Sequence, residues 1–259
     1  MIYKDWEFFC KKLNEFDINT YKVKDAFEDN IKEPFAIIRH DLEGKISRAL
    51  DIARIESNNN ITSTYYVHGE LLTPANVELL REIEDLGHEV GYHYDVLDKH
   101  NGDREKAIEE FKYYIDKFVD LGFDLKSICP HGNPLKKRNG WRGNKDLFVP
   151  GESKRLFGLY DATVDIPSQV GKERYTFISD AAYSWNRGNF SDIKDIVDFI
   201  KDNNSIYIYT HTHRWQKSRL KFYVSKYLFR SARFTATTVY NNSVGKDLVN
   251  KFYYLAKRL

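Results

Sequence analysis

Two periods of apolar residues alternate along the chain, and their alternation predicts the fold. Residues 5–16 carry Trp6, Phe9, Cys10 and Leu13 at helical spacing, which predicts an amphipathic helix. The run Phe35-Ala36-Ile37-Ile38 is too short for a helix and predicts a buried strand. Helical spacing resumes over 46–57 through Ile46, Ala49, Leu50 and Ala53, and Asn58-Asn59-Asn60 breaks it. Residues 62–67 are β-branched and aromatic, hence a strand. Thr73-Pro74 then opens a helix, with Thr73 as N-cap and Pro74 in the first turn. Val77, Leu79, Leu80, Ile83 and Leu86 give that helix its apolar face, and Gly87 closes it. A strand follows over 90–92.

Residues 103–121 are the clearest helix, with Ile108, Phe111, Ile115, Phe118 and Val119 at helical spacing. Further strands are expected at 127–129, 162–166, 175–178 and 205–209, and Ser191 is expected to cap a helix through Ile193, Ile196, Val197 and Ile200. Between 132 and 160 the periodicity fades and Gly, Asn, Lys and Arg dominate. Long irregular segments of that kind are often functional.

Strand, loop and helix alternate at least three times before residue 130, which argues for parallel βαβ units. About seven strands result. That number suits an α/β fold of the distorted, incomplete (β/α)7 barrel kind better than an open doubly wound sheet. No repeat, low-complexity tract or linker divides the chain, so one domain is expected over residues 1–259, with a core at about 35–215.

Composition narrows the function. The 40 basic and 38 acidic residues nearly balance, so net charge gives no nucleic-acid footprint. Tyr and Phe number 18 and 17, which fits either a Tyr-rich core or a carbohydrate-facing surface. Two cysteines, Cys10 and Cys129, make no disulfide framework. The start Met1-Ile2-Tyr3-Lys4-Asp5-Trp6-Glu7 has no apolar signal region and no run reaches the length of a membrane span, so the expected compartment is the cytoplasm.

The chemistry gathers where the apolar runs end. Five runs close on His or Asp: Arg39-His40-Asp41-Leu42-Glu43, His93-Tyr94-Asp95, Pro130-His131-Gly132, Asp180, and Thr210-His211-Thr212-His213. In parallel α/β folds the C-terminal strand ends converge on one face, and active sites are built there. Metal-ligating and proton-transferring side chains on that face point to a metal-dependent hydrolase. Asp41 and Glu43 stand two residues apart, so both can face the barrel mouth; one would bind a divalent cation while the other takes a proton from water. The bland alternative is an ordinary loop with a capping Asp.

His93, at the far end of its strand, is a metal candidate, since neutral imidazole suits zinc. Asp95 either orients it or is a solvated acid. His88, next to the cap glycine, reads as structural. His131 sits in a rigid Pro/Gly turn. Asp180 with Trp185 suggests a carboxylate beside an aromatic wall. A His after the 205–209 strand is a candidate general acid, and strand alternation would send His211 and His213 to the same side. His68 and His100 have no supporting context and read as surface or structural.

In order and spacing, these segments resemble the polysaccharide deacetylase superfamily, the NodB-like or carbohydrate esterase family 4 group. The matching residues are Arg39-His40-Asp41-Leu42-Glu43, Ala49, Glu56, Thr64-Tyr65-Tyr66, Gly87-His88-Glu89-Val90-Gly91-Tyr92-His93-Tyr94-Asp95, His131-Gly132-Asn133-Pro134 and His211-Thr212-His213-Arg214-Trp215. They run in order from about residue 35 to 215. The resemblance implies a distorted (β/α) barrel of the NodB type and metal-dependent removal of an acetyl group from an N- or O-acetylated sugar. By that match Asp41 is the base, Glu43 and His93 are metal ligands, and His211 is the acid. The roles of Asp41 and Glu43 can be exchanged, because the family's two acids are adjacent.

One departure stands out. The family's second metal histidine lies four residues after the first, where this chain has Leu97. His131 is the geometric replacement, and Asp98 a poorer one. The expected metal set is therefore Glu43, His93 and His131 around a divalent cation, zinc. Asp180, Trp185 and Trp215 are expected against the sugar, with the loop around Trp141.

A surface-glycan precursor is the expected substrate. Two alternatives stay open: a hydrolase of another non-peptide C–N bond, and a non-catalytic glycan-binding relative. From Arg214 to Arg233 there are seven Lys or Arg and no Asp or Glu, interleaved with Phe222, Tyr223, Tyr227, Leu228 and Phe229. This basic aromatic extension either packs on the barrel with its charges solvated or makes peripheral contact with an anionic membrane or glycan.

Overall fold

A computed structural model describes residues 1–28, 31–133 and 136–239. The sheet is entirely parallel. Helix α1 (Tyr3–Glu15) precedes a short strand β1 (Asn19–Tyr21) and a single helical turn α2 (Asp25–Glu28). Three βα units follow: β2 (Phe35–Leu42) with α3 (Ile46–Ser57), β3 (Thr64–Val67) with α4 (Pro74–Asp85), and β4 (Glu89–Tyr94) with the short α5 (Val96–Lys99) and long α6 (Arg104–Asp120). Then come β5 (Ser127–Pro130), α7 (Glu152–Phe157), β6 (Tyr160–Asp161), β7 (Thr176–Ser179), α8 (Ile193–Lys201), β8 (Ile206–His211) and α9 (Arg219–Val239).

Seven strands pair in the order β6-β5-β4-β3-β2-β8-β7, curling into an incomplete barrel. Strand β1 pairs with the first residues of β2, Asn19 opposite Phe35, on the edge that β3 occupies further along, Arg39 opposite Thr64. The other edge of β2 pairs with β8, Asp41 opposite His211.

Several local expectations shift. Strand β6 lies at Tyr160–Asp161, ahead of the expected 162–166, because Asp161 and Asp165 turn the chain there: Asp165 accepts from Asp161 N at 2.8 Å and Asp161 from Thr163 N at 2.8 Å. The 132–160 segment contains α7, held between Gly151 and Gly158, both in the left-handed region. Asp192, not Ser191, caps α8 by accepting from Lys194 N at 2.7 Å. Thr73 occupies the N-cap position of α4 without a side-chain bond.

Because successive strand residues point to opposite faces, β2 divides its motif between two layers. Ala36, Ile38 and Leu42 pack outward against the helices, in the same cluster as Trp6, Ile46, Ala49 and Ala53. Phe35 and Ile37 point inward with Tyr66, Cys129 and Tyr207. Gly91 belongs to the inner set for a steric reason: a Cβ there would lie 2.5 Å from the Tyr66 ring and 2.9 Å from Ser127 O.

His40 takes the outward parity, which puts an imidazole into an apolar helix layer. Glu56 of α3 meets it. Its Oε1 lies 2.8 Å from His40 Nε2 and accepts from Trp6 Nε1 at 2.9 Å. Its Oε2 accepts from Ser63 Oγ at 2.6 Å and Tyr65 OH at 2.7 Å. His40 Nδ1 is 2.7 Å from Thr210 Oγ1 on β8. One buried carboxylate thus ties α1, α3, β2 and β3 together. His88 joins the same layer, between Ser63 Oγ and Ala53 O, as a structural residue.

Burial pushes the Glu56 carboxyl up, but the imidazoles of His40 and His88 and the hydroxyl donors outweigh it and bring its pKa down to about 2. The charged form is therefore favoured by the fold. Its contribution is fully present above the ordinary carboxyl pKa of 4.5 and is lost as pH falls through the range down to about 2. Over that range the stabilisation amounts to roughly 3 kcal/mol. Glu56→Gln should remove this acid-dependent part, so the parent-minus-variant stability gap should narrow as pH falls from 5 towards 2. Glu56→Ala should cost about 3–5 kcal/mol at neutral pH. Urea unfolding followed by circular dichroism at several pH values measures both; a gap independent of pH would contradict the assignment.

Candidate active site

The inward parity of five strands meets at the C-terminal rim. From β2 it delivers Arg39 and Asp41, with Glu43 just past the strand end. From β4 it delivers His93, from β5 Cys129 and then His131, and from β8 Tyr207, Tyr209 and His211. Tyr66 is inward on β3, so His68, two residues on, joins the same layer.

The ligand atoms of Glu43, His68, His93 and His131 all lie within 4.8 Å of one another. Glu43 is the centre of the cluster. Its Oε1 is 3.0 Å from His131 Nε2, 3.8 Å from His211 Nε2 and 4.0 Å from His93 Nε2, and its Oε2 is 3.9 Å from His213 Nδ1. Asp41 Oδ2 lies 3.9 Å from His93 Nε2. Asp41, His93 and Cys129 form a second, deeper group. Strand β8 ends at His211 and a tight turn follows, yet His213 still reaches Glu43.

Hydrogen bonds fix the proton on His93. Its Nδ1 is 3.0 Å from Cys129 O, and a backbone carbonyl only accepts, so Nδ1 carries the proton. Nε2 then presents a lone pair to the cluster. Burial, with His68 and His131 close by, holds the ring well below the usual imidazole pKa, hence neutral. Asp95, an expected orienter, plays no part in this bond.

Asp41 lies within β2, two residues before Glu43. Arg39 Nε approaches its Oδ1 at 3.6 Å, and the guanidinium is held by Tyr207 OH at 3.1 Å and lies over the Tyr209 ring at 4.7 Å. Burial raises the Asp41 carboxyl above its ordinary range, against the lowering pull of Arg39 and His211.

His211 is held from behind by Asp180. Nδ1 donates to Asp180 Oδ1 at 2.6 Å, and the His211 backbone N donates to Oδ2 at 2.9 Å. Arg214 Nη1 donates to Asp180 Oδ1 at 2.8 Å and to its carbonyl at 2.7 Å. Its 3.0 Å approach to His211 Nδ1 reflects the shared carboxylate oxygen, since that nitrogen is already donating. Burial pushes the Asp180 carboxyl up, but Arg214 and His211 win and hold it well below the usual carboxylate range. His211 Nε2 is left facing Glu43.

Three expected sugar contacts take other places. Asp180 is fully buried and uses both oxygens on His211 and Arg214, so it orients side chains instead of meeting a substrate. Trp185 and Trp215 are 5% and 1% exposed and belong to the outer core. The turn at Thr212–Arg214 breaks the strand parity and swings Trp215 edge-on to Trp6, 5.1 Å between ring centres, with its Nε1 donating to Thr210 Oγ1. Trp141 packs on the same core and donates to Asp98 Oδ1 at 2.8 Å.

Asp98, the weaker replacement ligand, is taken up by Arg138 in a two-pronged pair at 2.7 and 2.6 Å. Leu97 is buried in the core. His100 pairs with Glu110 at 2.7 Å, away from the cluster. Pro134 lies outside the described residues. His68 is the group that sequence reading missed. Its signal was the parity of Tyr66 on a strand whose neighbours, β2 and β4, both end in ligand-type residues.

No protein-family model matches the chain, and no curated protein matches its sequence. Among solved structures, a CE4 esterase from Streptococcus mutans is 12% identical, with a TM-score of 0.51 over 86% of this chain and 91% of that one. At that identity the likeness establishes the fold. A family 4 carbohydrate esterase from Bacillus anthracis, 14% identical, covers 86% of this chain and 85% of its own at a TM-score of 0.43.

Do these residues fit a metal ion? His93 Nε2 and His131 Nε2 are buried without a hydrogen-bond partner, although a carboxylate oxygen stands within 4.0 Å of each. A buried polar atom left so costs about 1–3 kcal/mol. Two such partnerless ring nitrogens beside one carboxylate, with a third imidazole next to them, make a nitrogen-rich set that suits zinc. The chain is therefore expected to hold about one zinc ion after dialysis, by elemental analysis. His93→Ala and His131→Ala should abolish retention, and His68→Ala should weaken affinity on the order of tenfold or more. Unchanged zinc in the His68 variant would remove that residue from the set.

Proposed function

We propose that the chain is a metal-dependent hydrolase that removes an acetyl group from an acetylated sugar. The observation that carries the proposal is the convergence on one rim of a buried carboxylate, Asp41, an oriented imidazole, His211, and the Glu43–His68–His93–His131 donor set. The fold shared with a CE4 esterase is consistent with it.

Glu43, His93, His131 and His68 would hold the cation. When bound, it supplies Lewis acidity to the acyl carbonyl and to water. The protein's own part follows from geometry. Asp41 is acceptor-only when ionised, has Arg39 beside it favouring the charged form against burial, and has one oxygen, Oδ1, without a hydrogen-bond partner. It is placed to take a proton from an attacking water. Its raised pKa brings it closer to the range in which a carboxylate is an effective base. His211 carries the opposite duty. Asp180 fixes its Nδ1–H, so Nε2 is the nitrogen that gives a proton to the departing sugar amine or hydroxyl. Arg214 keeps Asp180 ionised, so the carboxylate goes on accepting from Nδ1 and the ring keeps this orientation. The proton taken by Asp41 and the proton given by His211 leave acetate and the free sugar group, with water consumed.

The donor set comes from side chains on four segments, and the amide or ester specificity is not contained in them. Surface-glycan precursors are the substrate class we favour, and a cytoplasmic setting goes with that choice. Acetate release from a panel of N- and O-acetylated sugars, with zinc present, tests the reading. Asp41→Asn should lower kcat by about 10²–10⁴ while zinc content stays unchanged. His211→Ala should cost a similar factor, and Asp180→Asn a smaller one, because the imidazole loses the carboxylate that orients it. Zinc binding without acetate release from any sugar would favour a different C–N bond as target. Undiminished turnover in Asp41→Asn would overturn the mechanism.

A further inference from the structure

Helix α9 has its faces in an unusual arrangement for a helix beside a protein core. Its inner face is narrow: Phe222 and Phe229 meet the Tyr183 ring at 5.9 and 5.3 Å, and Ser225 lies between them. Its outer face is apolar. Leu220, Tyr223, Val224, Tyr227 and Leu228 recur at i, i+3, i+4, i+7 and i+8, one continuous stripe, and are 76%, 62%, 50%, 73% and 54% exposed. Exposed apolar residues scattered singly are ordinary, but a contiguous stripe marks a contact surface.

Charge identifies the partner. Over Arg219–Val239 there are five Lys or Arg and no Asp or Glu. Lys221 lies along one border of the stripe, and Arg219, Lys226 and Arg230 along the other, as helical spacing requires. Arg219 reaches Asp5 at 3.8 Å; among the described residues the other three have no ion pair. Apposing two copies of this face would bring like charges together. A purely polyanionic ligand would leave the apolar stripe in water. An anionic bilayer satisfies both features: the stripe enters the acyl boundary while the flanking cations meet lipid phosphates. Among the described residues no helix is long and apolar enough to cross a membrane, so the contact would be peripheral.

We propose that α9 docks the protein on anionic membrane surfaces through Leu220, Tyr223, Val224, Tyr227 and Leu228, with Lys221, Lys226 and Arg230 selecting negatively charged lipid. The helix begins eight residues after His211, the last residue of β8. The inference goes beyond the proposed reaction and does not depend on it, because its readout is binding.

The test is co-sedimentation of the full chain with phosphatidylcholine vesicles, with and without phosphatidylglycerol. Binding is expected only with the anionic lipid, and should weaken as salt is raised. The combined variant Leu220→Ser, Tyr223→Ser, Tyr227→Ser, Leu228→Ser should lose binding at least about tenfold while zinc content and circular dichroism match the parent. Lys221→Glu with Lys226→Glu and Arg230→Glu should lose it by a similar factor with the apolar stripe intact. Equal binding to both vesicle types, no binding by the parent, or a parent dimer that the serine variant dissolves would each overturn the proposal.

Discussion

The bond between the Glu56 carboxylate and His40 is the constraint on which the site rests. Asp41 can face the barrel axis only if its neighbour His40 faces away from it, and facing away means entering the helix layer. A polar ring buried there without partners would cost several kcal/mol. Glu56, with Trp6, Ser63 and Tyr65 satisfying its remaining lone pairs, makes that burial tolerable. Thr210 on the other side of His40 links the same network to β8, one residue before His211. A polar knot outside the barrel therefore sets the register of the two strands that carry Asp41 and His211 inside it.

Three carboxylates on the rim are separated by environment more than by position. Asp41 has Arg39 beneath it and an oxygen without a hydrogen-bond partner. Glu43 is surrounded by imidazoles and is suited to hold a cation. Asp180 is saturated by Arg214 and His211 and held firmly ionised. Side chains of the same chemistry thus come to stand in three different settings, beside a guanidinium, among imidazoles and in a saturated ion pair, because their neighbours differ. Pulling apart the properties of like groups is how a single fold runs acid and base steps at one pH.

Much of this was legible in the sequence because strand alternation is a strict rule. The five runs ending in His or Asp are β2, β4, β5, β7 and β8, and the parallel order follows from the intervening helices. Where alternation continued past the strand end, as at Glu43 and His131, the residues named from sequence lie together. Where a tight turn intervened, reading failed: Trp215 follows the turn at Thr212–Arg214, and Trp185 follows the one at Ala181–Tyr183, so both turned into the outer core. His68 was overlooked for the opposite reason. No motif surrounds it, and only the inward parity of Tyr66 gives it away. Strand β1, helix α2 and helix α7 are too short to carry a period of their own.

Position 97, where the resemblance read from the sequence would put a second metal histidine, holds Leu97 for a structural reason. A pair of imidazoles four residues apart on one helical turn would be a local arrangement, fixed by that turn alone. Here Leu97 fills the core and Asp98 is engaged by Arg138, Trp141 and Asn144, so α5 has no donor to offer. The same Asn144 donates to His131 O at 2.8 Å, while His131 N donates to Tyr94 O at 2.7 Å. The atoms that withdraw Asp98 from the cluster therefore also pin the backbone of the histidine that faces it. His68, His93 and His131 then come from the ends of three adjacent strands, with Glu43 from a fourth. A set assembled that way exists only when β2, β3, β4 and β5 are in register, so its integrity reports on the sheet as a whole and not on any single helix.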